Sequence, residues 1–172
     1  MGKTILKTVF WATVFALIAA LLQSTLFYRL AVYYHAVPDI ALAIIVYTAY
    51  NNGTMTGQLA GFFSGLVLDF LSAAPLGLNA FIRTLIGALT GLMKGTFFLD
   101  TIFLPMVLCA VATCVKAAML FILHLLFATG VPAYSFIEPV FWVEIMLNTV
   151  LAPFLFAFLK LFKTLLLNGR EI

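Results

Sequence analysis

Of the 172 residues, 65% are hydrophobic and 9% charged, with a formal net charge of +3. A soluble domain is about half apolar and a quarter charged, so this balance excludes an ordinary water-soluble domain and leaves no length for a catalytic head. The basic residues stand singly at loops and ends, as membrane topology predicts, which argues against nucleic acid as a partner.

A helix needs roughly 20 apolar residues to cross a ~30 Å hydrocarbon core, and the apolar runs are continuous rather than alternating as in a membrane barrel. The expectation is therefore an all-α, polytopic membrane protein: one bundle of six transmembrane helices forming a single domain over residues 1–172. The N-terminal run after Lys3 and Lys7 has the flavour of a signal peptide. It is too long for one and no small-x-small cleavage site follows, so it reads as a retained first helix.

The first span is predicted from Thr8 to Tyr28, with Tyr28, Tyr33 and Tyr34 at an interface. The second runs from Pro38, as first helical residue, to Tyr50, with Asp39 favoured by the helix dipole. At about 20 Å it is short for a crossing, and must tilt little or thin the bilayer. After the Asn51-Asn52-Gly53 turn a third span runs from Thr54 to Leu71, forming a tight hairpin with the second. A Pro75-Leu76-Gly77 turn leads into a fourth span, Leu76 to Met93. Pro105 falls where a break would divide the next long apolar run, giving an interfacial piece from Phe97 to Leu104 and a fifth span from Met106 to Ala128. Pro139 opens the sixth span, which ends near Leu161.

With six spans, Lys3, Lys7, Lys94, Lys160, Lys163 and Arg170 share one side against Arg29, so both termini are expected in the cytoplasm. Cys109 and Cys114 are about 140° apart on one helix, unsuited to bridging or sharing a metal, and read as small buried residues.

Small residues recur every fourth position in three helices: Ala12, Ala16 and Ala20; Gly57, Gly61 and Gly65; and Gly87, Gly91 and Gly95. Such stripes let backbones approach closely in lipid. The glycines read as internal packing, and the alanines either as packing or as a partner-binding face.

Four ionisable residues interrupt the spans: Asp69, Arg83, Lys116 and Glu144. Each costs roughly 2.5–3.5 kcal/mol in hydrocarbon, so each needs an interior partner, a cavity or another protein. Asp69 and Arg83 are within reach of each other near the outer side. Thr113, Lys116 and His124 share a face of span five, while Glu144 and Asn148 are i, i+4 neighbours on span six, placing Lys116 within reach of Glu144. The set reads as structural ion pairs, as an outward solute site or as a partner contact.

Catalytic signals are poor. Ser64, in Gly61-Phe62-Phe63-Ser64-Gly65, resembles a membrane serine protease only locally; its hydroxyl is more simply bonded to a helix carbonyl, and His124 belongs at another depth. Asp39 and Asp69 flank span ends and lack the glycine-aspartate motif of membrane aspartyl proteases. Metal-ligand spacing and a phosphate-binding loop are absent from the sequence, so neither enzyme activity nor a cofactor is expected.

Pro38-Asp39, the Tyr47–Tyr50 region, Gly57, Gly61-Phe62, Gly65, Asp69, Ser72, Pro75-Leu76-Gly77, Ala80 and Gly91 together resemble the rod shape-determining MreD family, over about a third of the chain. Asn79 and Phe81 stand where that pattern has other side chains. The resemblance implies a non-enzymatic protein of the bacterial inner membrane in cell elongation and peptidoglycan synthesis. Its implied partners are MreC, MreB, a SEDS glycosyltransferase and a class B penicillin-binding transpeptidase. It further implies a fold similar to the S components of energy-coupling-factor vitamin transporters, which dock their partner through an alanine stripe on the first helix. The alternative function is such an S component, with Lys116, Glu144, Asn148 and Gln23 lining a solute cavity.

Overall fold

The computed structural model describes residues 2–26, 36–72, 74–96, 102–127, 131 and 136–167. Among these the chain is all helical: α1 (Gly2–Leu26), α2 (Ile40–Asn52), α3 (Thr54–Leu71), α4 (Leu78–Leu92), α5 (Phe103–Phe127), α6 (Pro139–Leu161) and a short α7 (Lys163–Leu166). Three of them, α1 over Gly2–Gln23, α5 and α6, are long and apolar enough to cross a membrane; α2 and α4 are shorter apolar helices. Phe10, Phe70, Leu92, Leu125, Phe154 and Leu161 are each more than half exposed, an outer surface suited to lipid and costly in water.

The shortness of α2 is explained by its position. Nine consecutive residues, Ala41 to Ala49, are buried, and α1, α3, α4, α5 and α6 all pack on it. A helix apolar all round belongs in an interior. Enclosed by protein, α2 need neither tilt nor thin the bilayer to hide its ends. It begins at Ile40 with Asp39 as its N-cap, so Pro38 precedes the cap and is not the first helical residue. Gly53, at φ 93°, separates α2 from α3 by a single residue and closes the hairpin.

Helices α3 and α4 form the most extensive helix pair, and they are antiparallel with glycine against backbone. A β-carbon on Gly57 would strike the Gly87 carbonyl, and one on Gly61 the Arg83 carbonyl. A β-carbon on Gly65 would lie 2.5 Å from Ala80 Cα, and one on Gly91 2.5 Å from Thr54 Cα. Gly95 belongs to the turn after α4, at φ 73°, rather than to this seam.

Pro105 does not divide the fifth helix. It is the third residue of α5, where backbone N–H groups have no helical acceptor to lose, so Phe103 and Leu104 are helical. Pro139 does open α6, as its first residue. Inside α6, Pro153 removes the donor that the Thr149 carbonyl would receive, yet the helix continues to Leu161. Helix α7 folds back under the bundle: Leu166 is fully buried, and Asn52 Nδ2 donates to its carbonyl at 2.7 Å.

The alanine face of α1 is turned into the bundle. Ala12 and Ala16 are buried, Ala19 joins them and Ala20 is only half-buried, so this face is occupied by internal packing and is not free for a partner. Cys109 is buried as expected, but Cys114 is exposed on the apolar exterior of α5. Tyr28, Arg29, Tyr33, Tyr34, Asp100, Arg170 and Phe97 to Thr101 lie outside the described residues.

Candidate functional site: a charged hub inside the bundle

The N-terminus of α2 starts inside the protein, and its orphan N–H groups call for an acceptor. Asp39 supplies one: its Oδ1 accepts from the Leu42 N–H at 2.9 Å. The buried carboxylate then needs counter-charge. Arg83, on the second turn of α4, donates from Nη2 to Asp39 Oδ1 at 2.8 Å, and Lys116, midway along α5, donates from Nζ to Oδ2 at 2.9 Å. Lys116 also donates to Glu144 Oε1 on α6 at 2.7 Å. The Lys116–Glu144 contact expected from the sequence is present, and Asp39 is its third member.

Neutral groups extend the network. The Asp39 N–H donates to Asn148 Oδ1 at 2.7 Å, Asn148 Nδ2 donates to Thr113 Oγ1 at 2.9 Å, and Thr113 donates to the Cys109 carbonyl at 2.8 Å. Asp39, Arg83, Thr113, Glu144 and Asn148 are all buried, while about a fifth of the Lys116 side chain is exposed. Two carboxylates and two cations leave the cluster formally neutral, which is the condition under which charge is tolerable in an apolar interior. The hub ties together α2, α4, α5 and α6. Arg83 Nη1 has no hydrogen-bond partner among the described residues.

Asp69 is not part of this cluster, and the expected Asp69–Arg83 pair does not form. The reason is competition from backbone donors. Asp69, in the last turn of α3, accepts from the Gly77 N–H at 3.0 Å and the Ala80 N–H at 3.1 Å through Oδ2. Its Oδ1 accepts from the Asn79 N–H and from Asn79 Nδ2, both at 2.9 Å. Asp69 thus caps α4 across the intervening turn, where the helix dipole also favours a negative charge. Gly77 at φ 94° and ψ −12° provides the left-handed corner of that turn, and the Leu78 N–H closes it on the Pro75 carbonyl at 3.1 Å. Asn79, an unexpected residue at this position, is the side chain that completes the cap.

Ser64 Oγ donates to the Ala60 carbonyl at 2.6 Å, the helix back-bond anticipated for it, and His124 Nδ1 is 2.8 Å from the Val131 carbonyl. Neither engages the other. Sequence reasoning missed Asp39 as a hub member because Asp69, Arg83, Lys116 and Glu144 already balance in charge. Only the consumption of Asp69 by backbone donors frees Arg83 for Asp39. The available signal was Asp39 at the start of a helix too short to reach the membrane surface.

An apolar exterior around a charge-balanced polar interior defines a membrane-embedded helical bundle. The rod shape-determining protein MreD family matches residues 3–162, nearly the whole chain, and the chain belongs to that family. Neither a curated protein nor a solved structure matches it. Membership makes the chain a membrane protein of rod-shape determination.

Proposed function

We propose that this chain is a non-enzymatic scaffold of the bacterial inner membrane that binds MreC and positions the cell-wall synthases of the elongation complex. MreB, the SEDS glycosyltransferase and the class B penicillin-binding transpeptidase complete the assembly. The chain crosses the membrane six times with both termini in the cytoplasm. The observation that carries this reading is how the interior polar groups are used. Lys116 pairs with both Asp39 and Glu144, Arg83 pairs with Asp39, and Asp69 is spent on a helix cap. These groups fix helices relative to each other, and the lipid-facing sides remain to present apolar surface to partner helices.

The solute-binding alternative requires Lys116, Glu144 and Asn148 to face a ligand, whereas here each is engaged inside the hub. The deciding experiment is gentle solubilisation of a tagged chain from its host, with mass spectrometry of what co-purifies. Recovery of MreC with cell-wall synthases is the expected result. Recovery of ATPase subunits and a transmembrane coupling protein instead would overturn the scaffold reading in favour of the transporter one.

A further inference from the structure

The hub divides into two halves, each balanced in charge. Asp39 and Arg83 neutralise each other within α1–α4, and Lys116 and Glu144 do so within α5–α6. Each half is also fastened internally: the glycine seam and the Asp69 cap lock α3 to α4, and the Asn148–Thr113 hydrogen bond joins α6 to α5. Asp39 bridges the two halves, through Lys116 Nζ at 2.9 Å and through its own N–H to Asn148 at 2.7 Å.

Arg83 offers the ionic bridge an alternative. Its Nη2 holds Asp39 Oδ1 at 2.8 Å, while its Nη1 is buried with no partner among the described residues. A guanidinium beside a carboxylate favours the two-pronged arrangement, both terminal nitrogens donating to the two oxygens, and a buried donor left unmade is costly. The second oxygen, Oδ2, is the one taken by Lys116. We propose that Asp39 Oδ2 is a switch point for which Lys116 and Arg83 compete, and that its handover to Arg83 lets α5 swing relative to α4. The handover isolates no charge in the apolar interior, because Asp39 stays paired with Arg83 and Lys116 with Glu144.

The fold supplies both the hinge and the room. Helix α6 and its continuation meet α2 along its whole length: Asn148 at the Asp39 N–H, Phe156 edge-on to Tyr47 at 5.1 Å, and the Leu166 carbonyl at Asn52 Nδ2. These contacts hold α6 on α2 when Lys116 lets go, so α5 turns about that line. On the far side of α5, an open apolar cleft of about 360 Å³ separates it from α4, lined by Ile86, Thr90 and Met93 and, opposite, Leu108, Ala112 and Val115. Val115 adjoins Lys116 and Ile86 is about one turn from Arg83, so the loosely packed seam begins beside the contested carboxylate.

The test is pulsed electron–electron resonance between spin labels on the full chain in lipid nanodiscs, with Cys109→Ala and Cys114→Ala as background. The exposed pair Leu89 on α4 and Leu125 on α5 reads the swing; Phe10 with Leu89, and Leu125 with Phe154, read each half by itself. Arg83→Lys keeps the charge but lacks the second prong, and should show one Leu89–Leu125 distance. Lys116→Met with Glu144→Gln keeps its half neutral and removes the competitor, and should show a distance displaced by roughly 2–5 Å, the scale of helix shifts in known switches. Wild type should contain both. The same distance in all three proteins, or an equal displacement in the pairs within each half, would overturn the proposal. If the double variant does not fold, a wild-type distribution no broader than that of Arg83→Lys does so.

Discussion

Asp39 and Asp69 sit in similar sequence surroundings, each at the end of an apolar run, and their fates are set by which donors reach them first. Asp69 faces the backbone N–H groups of a helix start only eight to eleven residues away, and takes four hydrogen bonds from them and Asn79. Asp39 spends one oxygen lone pair on its own helix and the rest on cations 44 and 77 residues distant. The first arrangement is local enough to infer; the second is not, because no spacing rule links α2 to α4 or α5. The hub's neutrality makes a specific prediction. Asp39→Asn keeps a capping oxygen for Leu42 but leaves an excess positive charge inside, and Arg83→Met leaves an excess negative one. Each single variant should lose about 3 kcal/mol of stability, whereas the double variant, neutral again, should recover most of it. Thermal unfolding of the four proteins in one detergent measures this. Additive losses in the double variant would show that the two residues do not act as a pair.

At the level of elements, the α3–α4 hairpin was the most legible part of the sequence and the alanine stripe the least. Glycine every fourth residue in two successive runs, joined by Pro-Leu-Gly, leaves few ways to pack other than face to face. The alanines obey the same spacing, yet a four-residue step drifts about 40° around the helix each time. Ala20 is thus rotated about 80° from Ala12, while Ala19 lies within about 20° of it, which is why Ala12, Ala16 and Ala19 form the buried face. Nor could spacing say whether that face meets the chain's own helices or another protein. The hairpin is also coupled to the hub, because Gly61 packs on the backbone of Arg83. Gly61→Leu puts its side chain against a carbonyl that cannot swing aside, so the helices must separate and carry Arg83 away from Asp39. The expected loss is at least about 2–3 kcal/mol, with failure to recover MreC in the co-purification. Phe62→Leu, on the exposed face next door, is the control and should behave as wild type. A Gly61→Leu protein as stable as that control would remove close packing as the basis of the hairpin.

For the molecule as a whole, the distribution of charge between its two ends predicts an orientation that can be measured. Lys3, Lys7, Lys94, Lys160 and Lys163 occupy one end, while the Asp69 cap, the start of α2 and Glu138 belong to the other. Basic residues flanking membrane helices are retained in the cytoplasm, so the lysine end should face inward and the Pro-Leu-Gly turn outward. Single cysteines at Leu76 and Ile137, both largely exposed at the second end, should react with a membrane-impermeant maleimide in spheroplasts. A cysteine at Thr96, exposed just after Lys94, should react only once the membrane is opened. The native background is low, since Cys109 is buried and Cys114 lies in the apolar midsection of α5, out of reach of a water-borne reagent. The reverse labelling pattern would place the lysines outside and bring the start of α2 nearest the cytoplasm. The expected pattern instead sets the start of α2, and with it Asp39, in the outer half of the bundle, so a single labelling experiment assigns a membrane side to the hub's anchoring carboxylate.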